Sequence, residues 1–160
     1  MNTTRNMNNP RIIVLISFHF LLFTSCFQSS PDGEIVTIVN KNDNCIEKGL
    51  MVNGKEEGYW AVFDTNYVIQ YDVQYKHGIV NGKETHFLNG SIHMEAECKN
   101  GIRNGKFTSY HKYPITQTQG YVNMGKRVGD WQIYTKDGRL NKVLRFEKDT
   151  FKVVLDNKLE

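Results

Sequence analysis

An all-β fold is what this sequence predicts: an elongated single sheet of antiparallel β-hairpins built from four repeats of about 24 residues. Three observations carry that reading. The form Gly-x-x-x-Gly recurs at Gly54–Gly58, Gly78–Gly82, Gly101–Gly105 and Gly125–Gly129, with first glycines 24, 23 and 24 residues apart. Nine residues after each first glycine stands a ring (Phe63, Phe87, Tyr110, Tyr134), and six residues after stand Trp60, Glu84, Phe107 and Trp131. Between the glycine pairs, apolar and polar residues alternate with period two, and no stretch keeps a helical period. A lone hairpin is marginal in water, so the copies must stack and bury a shared face.

Taken in order, the chain opens on a leader. Residues 1–11 are polar, with Arg5 and Arg11 and no acid; Ile12 to Phe23 is a nearly unbroken apolar run; Thr24 and Ser25 are small residues before Cys26. A basic start, a short apolar run and small residues at a cleavage point describe a secretory signal peptide over residues 1–25. The apolar run has twelve residues, short of the roughly 20 that span a bilayer. Phe23-Thr24-Ser25-Cys26 resembles the bacterial lipoprotein signal, with Phe23 where leucine is usual. That resemblance implies lipid attachment at the Cys26 thiol, cleavage just before it, and an exported protein anchored in the bacterial cell envelope. Chemistry suits the residue: a thiolate is the nucleophile that forms the thioether, and several acyl chains anchor stably where one binds only marginally. Residues 26–33 then read as a flexible tether.

Loss of the leader also changes the charge. The whole chain carries 20 basic and 17 acidic residues, +3 in all; without Arg5 and Arg11 it keeps 18 basic residues against the same 17 acids, or +1. No electrostatic case for nucleic acid remains. Aromatics at 12% are too many for a disordered chain, which lacks the side chains to build a core. At 160 residues the chain suits one domain or one short repeat array.

Residues 34–49 form an N-terminal strand and cap, since Glu34 to Val39 alternates around β-branched residues. Residues 50–149 hold the four repeats. The second is the clearest, because Asn89-Gly90 is a two-residue type I′ turn signal. Folding back there sets Phe87 opposite Ile92, Thr85 opposite Met94 and Lys83 opposite Ala96. One face then carries Phe87, Ile92, Met94, Ala96 and Cys98, and the other Glu84, His86, His93, Glu95 and Glu97. The other copies are one residue longer. In the fourth, Lys136-Asp137-Gly138 suits a three-residue loop, with Tyr134 opposite Leu140 and on the face of Leu144 and Phe146. In the first, Phe63 lies opposite Ile69, beside Ala61, Tyr71, Val73 and Tyr75. The third is worn: Tyr113-Pro114 replaces the glycine turn and Gly120 sits on the apolar face, so a longer or irregular loop is expected. Residues 150–160 supply a last strand, from Phe151 to Leu155, and a tail.

At this point the residues match a known pattern. Gly125-Lys-Arg-Val-Gly-Asp-Trp131-Gln-Ile-Tyr134-Thr-Lys-Asp-Gly138 resembles the variant MORN repeat of YwqK-like antitoxin proteins. The resemblance covers roughly residues 50–149 and rests on four correlated copies. It implies a hairpin array without a built-in active site, and a non-catalytic protein that binds another protein. A toxin neutralised by an immunity protein is one such partner; a structural envelope lipoprotein without a toxin is the alternative. A fold shared with a family does not itself hand over an activity.

Three sets of residues could carry function. Trp60, Phe107 and Trp131 form a ladder on the face opposite Phe63, Tyr110 and Tyr134; rings on a polar face often mark a partner-binding surface. Each ring could equally cover a glycine of the adjacent unit and complete the stack. Glu84, His86, His93 and Glu95 fall on one side of the second hairpin, and two imidazoles with two carboxylates could ligate Zn²⁺ or run metal-assisted chemistry. A solvated polar face would look the same, and no metal or other cofactor is expected. Cys45 and Cys98 could bridge in an exported protein, or Cys98 could be a buried thiol on a strand. No Gly-x-Ser-x-Gly or His-Glu-x-x-His occurs, and no Lys-Ser/Thr follows the glycine pairs to make a phosphate loop.

Overall fold

The computed structural model describes residues 12–15, 33–40, 43–148 and 150–157. They form one antiparallel sheet whose strands lie in chain order. β1 is Ile12–Leu15, β2 Gly33–Asn40, β3 Cys45–Val52 and β4 Lys55–Asp64. β5 is Ile69–Lys76, β6 Ile79–Leu88, β7 Ser91–Lys99 and β8 Ile102–Lys112. β9 is Ile115–Asn123, β10 Lys126–Tyr134, β11 Leu140–Glu147 and β12 Thr150–Asp156. The described residues contain no helix. Of the leader, only Ile12–Leu15 is described, as a strand paired with β2; the rest of the signal, Cys26 and most of the tether lie outside the described residues.

Each repeat enters through a two-residue turn with both residues left-handed: Asn53-Gly54, His77-Gly78, Asn100-Gly101 and Met124-Gly125, with φ between 50° and 82°. Glycine takes this conformation without steric cost, which explains its recurrence there. Consecutive turns stack, the Gly78, Gly101 and Gly125 N–H groups donating to the carbonyls of Glu56, Val80 and Arg103 at 2.8–2.9 Å. At the other end of the hairpins, Asn89-Gly90 makes the expected turn, and Phe87–Ile92, Tyr134–Leu140 and Phe63–Ile69 pair as the turn lengths require. The third hairpin is irregular, as expected, with register shifts on both sides of Tyr110. Its loop is not longer: Lys112 pairs with Ile115 across a two-residue turn that holds a cis Tyr113–Pro114 peptide.

Simple alternation fails in one respect, and it recurs. Between the Phe87–Ile92 and His86–Met94 pairs, His93 has no partner; it is the extra residue of a β-bulge. Gln70, Gln117 and Asn141 occupy the same place in the other hairpins. One extra residue exchanges the faces of everything beyond it. Thr85 therefore faces Glu95, Glu84 faces Ala96, and Lys83 faces Glu97. Met94, Ala96 and Cys98 leave the face of Phe87 for that of Glu84 and His86. Likewise Leu144 pairs with Trp131 and Phe146 with Gly129, not on the Tyr134 side, and Tyr71 and Val73 pair with Val62 and Trp60, while Ala61 faces Asp72.

A second irregularity sits at the second glycine of each repeat. There β4, β6, β8 and β10 each carry two more residues than the strand before them, around Gly58, Gly82, Gly105 and Gly129. Beyond this wide bulge the strand ends pack over the apolar face, where Met51 and Val80 join Tyr71 and Tyr75 against the core of Val36, Ile38, Trp60 and Val73. A single sheet can thereby bury tryptophan: Trp60 is 1% and Trp131 2% exposed. One row of paired residues crosses the sheet, Val36–Gly49–Trp60–Val73–Glu84–Ala96–Phe107–Gly120. It resumes with Trp131, Leu144 and Val153.

Candidate functional site

Of the ladder, Trp60 and Trp131 are interior, which corrects the reading of the two tryptophans as a partner-binding surface. Both tryptophans seat against glycine: a Cβ on Gly49 would lie 2.3 Å from the Trp60 ring, and one on Gly120 2.5 Å from the Trp131 ring. Gly120 is thus the seat of an indole rather than a sign of wear. The indole N–H groups donate to the Leu50 and Tyr121 carbonyls at 2.9 and 3.1 Å, at the wide bulges. Tyr75 and Phe146 meet the two rings edge-on at 6.2 and 6.1 Å. Phe107, half-buried, lies 5.4 Å from Trp131.

The two middle copies solve the same problem differently. Their wide bulges put Gly82 and Gly105 at φ 128° and 132°, against 64° and 65° for Gly58 and Gly129. Here a side chain of the preceding strand takes the freed amide: Lys83 N–H donates to Gln74 Oε1 at 2.7 Å and Lys106 N–H to Glu97 Oε2 at 2.9 Å. Leu50 and Tyr121 stand at the corresponding positions of the tryptophan copies.

Glu84 occupies the tryptophan position in the second copy, and the structure makes it an ion-pair centre. Arg103 donates to both its oxygens at 2.8 Å, His86 Nε2 lies 2.6 Å from Oε1, and the Cys98 thiol donates to Oε2 at 3.4 Å. Burial pushes the Glu84 carboxyl up, but the Arg103 and His86 hydrogen bonds outweigh it and hold it well below the usual carboxylate range. His86 stacks on Tyr71 at 5.3 Å. His93, the bulged residue, is exposed, and Glu95 lies on the opposite face, paired with Thr85. The bulge therefore divides Glu84 and His86 from His93 and Glu95. Among the described residues no group of three or more His, Cys, Asp or Glu is placed to hold a metal ion.

The cysteines do not meet. Cys45 is on β3 and Cys98 on β7, four strands and so roughly 19 Å apart at about 4.8 Å per strand, beyond the reach of a bridge between them. Cys98 lies opposite Gly82 and is buried. Burial first, then the Glu84 carboxylate, push its thiol up to about 12. Cys98 is expected to resist alkylation by iodoacetamide at neutral pH until the protein unfolds; reaction in the folded state as fast as that of a free thiol would contradict this placement.

The other face of the sheet is polar, with Thr85 and Thr108 buried within it, and it holds the candidate site. Asp72, Thr85, Glu95, Thr108, Gln119 and Gln132 pair in one row across β5 to β10. Rings of the ninth repeat position lie over it and bond to it: the Tyr110 hydroxyl donates to Glu95 at 2.6 Å, and Gln119 donates to the Tyr134 hydroxyl at 2.8 Å. Lys83 pairs with Glu95 at 2.5 Å. Burial pushes the Glu95 carboxyl up, but Lys83 and Tyr110 outweigh it and hold its pKa below the ordinary carboxylate value. Burial and the Glu95 bond both raise the Tyr110 phenol. At the middle wide bulges a groove of about 710 Å³ opens over β6 to β8, its walls including Lys83, Glu95, Glu97, Lys106 and Tyr110. A smaller hollow of about 300 Å³ continues it past Lys106 to Asp130. Lys83 and Glu95 are paired, Glu97 accepts the Lys106 amide, and the Tyr110 phenol is held protonated, so the groove is suited to hydrogen bonding rather than to proton transfer. Sequence reasoning missed this groove because the second glycine of each repeat reads equally well as a turn residue; its recurrence at Gly58, Gly82, Gly105 and Gly129, where the wide bulges sit, was the available signal.

No protein-family model matches the chain, and no curated protein matches it.

Proposed function

We propose that this chain is a non-catalytic, variant-MORN hairpin array, lipid-anchored through Cys26 in a bacterial cell envelope, that binds a partner protein on its polar face. The observation that carries the reading is the groove over β6 to β8, where both signs of charge, amide groups and the Tyr110 ring line one open surface. Interfaces of transient partners combine paired charges, hydrogen-bonding groups and an aromatic in this way, and the charge pattern sets the partner and the docking register. Neutralisation of a toxin met in the envelope or outside the cell is one form the function would take. A structural envelope role is the other form, and it predicts no stoichiometric partner.

Purification of the chain from its own membranes tests this directly. One partner in constant stoichiometry is expected, retained by the wild type and reduced at least about tenfold by Lys106→Glu, which reverses a groove charge worth roughly 1.4 kcal/mol or more when desolvated. Lys106 is exposed, so its circular dichroism should match the wild type. Absence of any constant partner, or one indifferent to Lys106→Glu and to Lys83→Glu alike, would remove the polar face from the proposal. Cys26→Ser should release the chain from the membrane fraction; continued membrane association would remove the anchor.

A further inference from the structure

The two middle copies share more than their fold. Lys76-His-Gly-Ile-Val-Asn-Gly-Lys83 and Lys99-Asn-Gly-Ile-Arg-Asn-Gly-Lys106 are identical at six of eight positions. The outer copies keep only the two glycines of this octet, Gly54 and Gly58 in one and Gly125 and Gly129 in the other. The turns do not require the likeness, because Asn53-Gly54 and Met124-Gly125 adopt the same left-handed conformation without it. It falls instead where the groove opens: Asn81, Lys83, Lys99, Asn104 and Lys106 are among the residues that line it. Both octets also have one geometry. Lys76 pairs with Ile79 and Lys99 with Ile102 across the turn, and Gly82 and Gly105 take φ of 128° and 132°. The groove is therefore built from two equivalent subsites, on β6 and β8, two strands and so roughly 9.6 Å apart at about 4.8 Å per strand.

Charge says what the subsites take. Neither octet holds an acid, and all four of its lysines are exposed. The carboxylates beside them are engaged within the chain: Glu95 by Lys83 and the Tyr110 hydroxyl, Glu97 by the Lys106 amide, and Glu57 by the His77 amide at 2.7 Å. Lys76 and Lys99 have no ion pair among the described residues. We infer that the partner enters the groove as an extended acidic segment with a carboxylate at every third residue, an inference that rests on the groove being the partner-binding surface. A polyproline II segment has three residues per turn at about 3.1 Å each, so the same side returns every ~9.3 Å, in step with the subsites. A β-strand returns the same side every ~6.8 Å and falls out of step. Successive carboxylates then meet Lys76 and Lys83 in one subsite and Lys99 and Lys106 in the next. The Asn81 and Asn104 amides supply the donors and acceptors that a passing backbone needs, and Tyr110 offers a ring to prolines of the segment.

Fluorescence anisotropy of labelled peptides added to the purified full chain tests the inference. A peptide of four Glu-Pro-Pro triplets is expected to bind at least about tenfold more tightly than one of the same composition with its glutamates consecutive, and to weaken as salt rises. Four Lys-Pro-Pro triplets should not bind. Lys99→Glu should weaken the acidic triplet peptide about tenfold. Lys136→Glu, exposed at a hairpin tip on the other end of the sheet, should leave it unchanged. Equal affinity for spaced and consecutive glutamates, indifference to Lys99→Glu, or tighter binding of inorganic polyphosphate than of the triplet peptide would each overturn the inference. If Lys99→Glu fails to match the wild-type circular dichroism, the salt series on the wild type decides: affinity that falls with salt supports the acidic segment, and affinity independent of salt overturns it. A native partner that still depends on Lys106 while the triplet peptide does not bind would overturn the acidic segment and leave the groove standing as the partner surface.

Discussion

Trp60→Ala is expected to destabilise the protein by about 3–5 kcal/mol, the range for emptying a buried tryptophan site, read from urea unfolding followed by circular dichroism. The side chain is 1% exposed, and its removal also leaves the Leu50 carbonyl without the indole N–H that reaches it at 2.9 Å. Gly49→Ala should be damaging for the reciprocal reason. Its new methyl would stand 2.3 Å from the indole, an overpacking that typically costs about 1–3 kcal/mol. The two changes share one space, so they should not add: once Trp60 is alanine, Gly49→Ala should cost far less, because the obstruction is gone. Additive losses, or a Trp60→Ala loss below about 1 kcal/mol, would show that the indole does not occupy the place described. Trp131 and Gly120 form the matching pair in the fourth repeat and should behave alike.

Glu84→Ala should cost about 2–4 kcal/mol. Breaking a fully buried pair costs about 3–5 kcal/mol, and the figure is reduced here because the Arg103 side chain keeps 40% exposure and solvent screens it. The same carboxylate makes stability depend on acid. Its folded pKa is depressed, so its contribution is complete above the unfolded value of about 4.3 and drains away as the pH falls from there toward the folded value. Glu95, also depressed, acts in the same sense on the other face. Glu84→Gln should therefore be less stable than wild type at neutral pH and should lose less on acidification from about pH 5 to pH 2, with the remaining slope due in part to Glu95. Unfolding midpoints measured across that range decide it; parallel acid profiles for wild type and Glu84→Gln would mean that Glu84 is not the group responsible.

Pairing at the hairpin ends was legible from residue types. Asn89-Gly90 dictates a two-residue turn, which places Phe87 against Ile92, and Lys136-Asp137-Gly138 places Tyr134 against Leu140. Away from the turns, legibility failed at one residue per hairpin. His93 fits an alternating strand as well as a bulge, because a bulged residue needs only a polar side chain that tolerates being unpaired. Reading it as paired set His86 against His93 and Glu84 against Glu95, and assembled a four-ligand cluster that the bulge divides between two faces. The signal that could have found it was periodic: Gln70, His93, Gln117 and Asn141 recur at intervals of 23, 24 and 24 residues. Gly49 and Gly120 were a second such signal, since a glycine two strands' width from any turn reserves space for a large ring.

By itself, then, the sequence determined the class and beat of this protein: an all-β array, the length of its repeat, the positions of its turns, and the rings that accompany each one. These follow from local chemistry, because left-handed turn residues and period-two alternation act within a few neighbouring positions. Only the tertiary structure decided which rings are interior, which charges meet and where the open surface lies. A strand has two faces, and a single unpaired residue exchanges them; no local preference records that exchange, which is settled when the whole sheet buries its tryptophans against glycine and leaves Lys83, Glu97 and Lys106 of the groove to solvent.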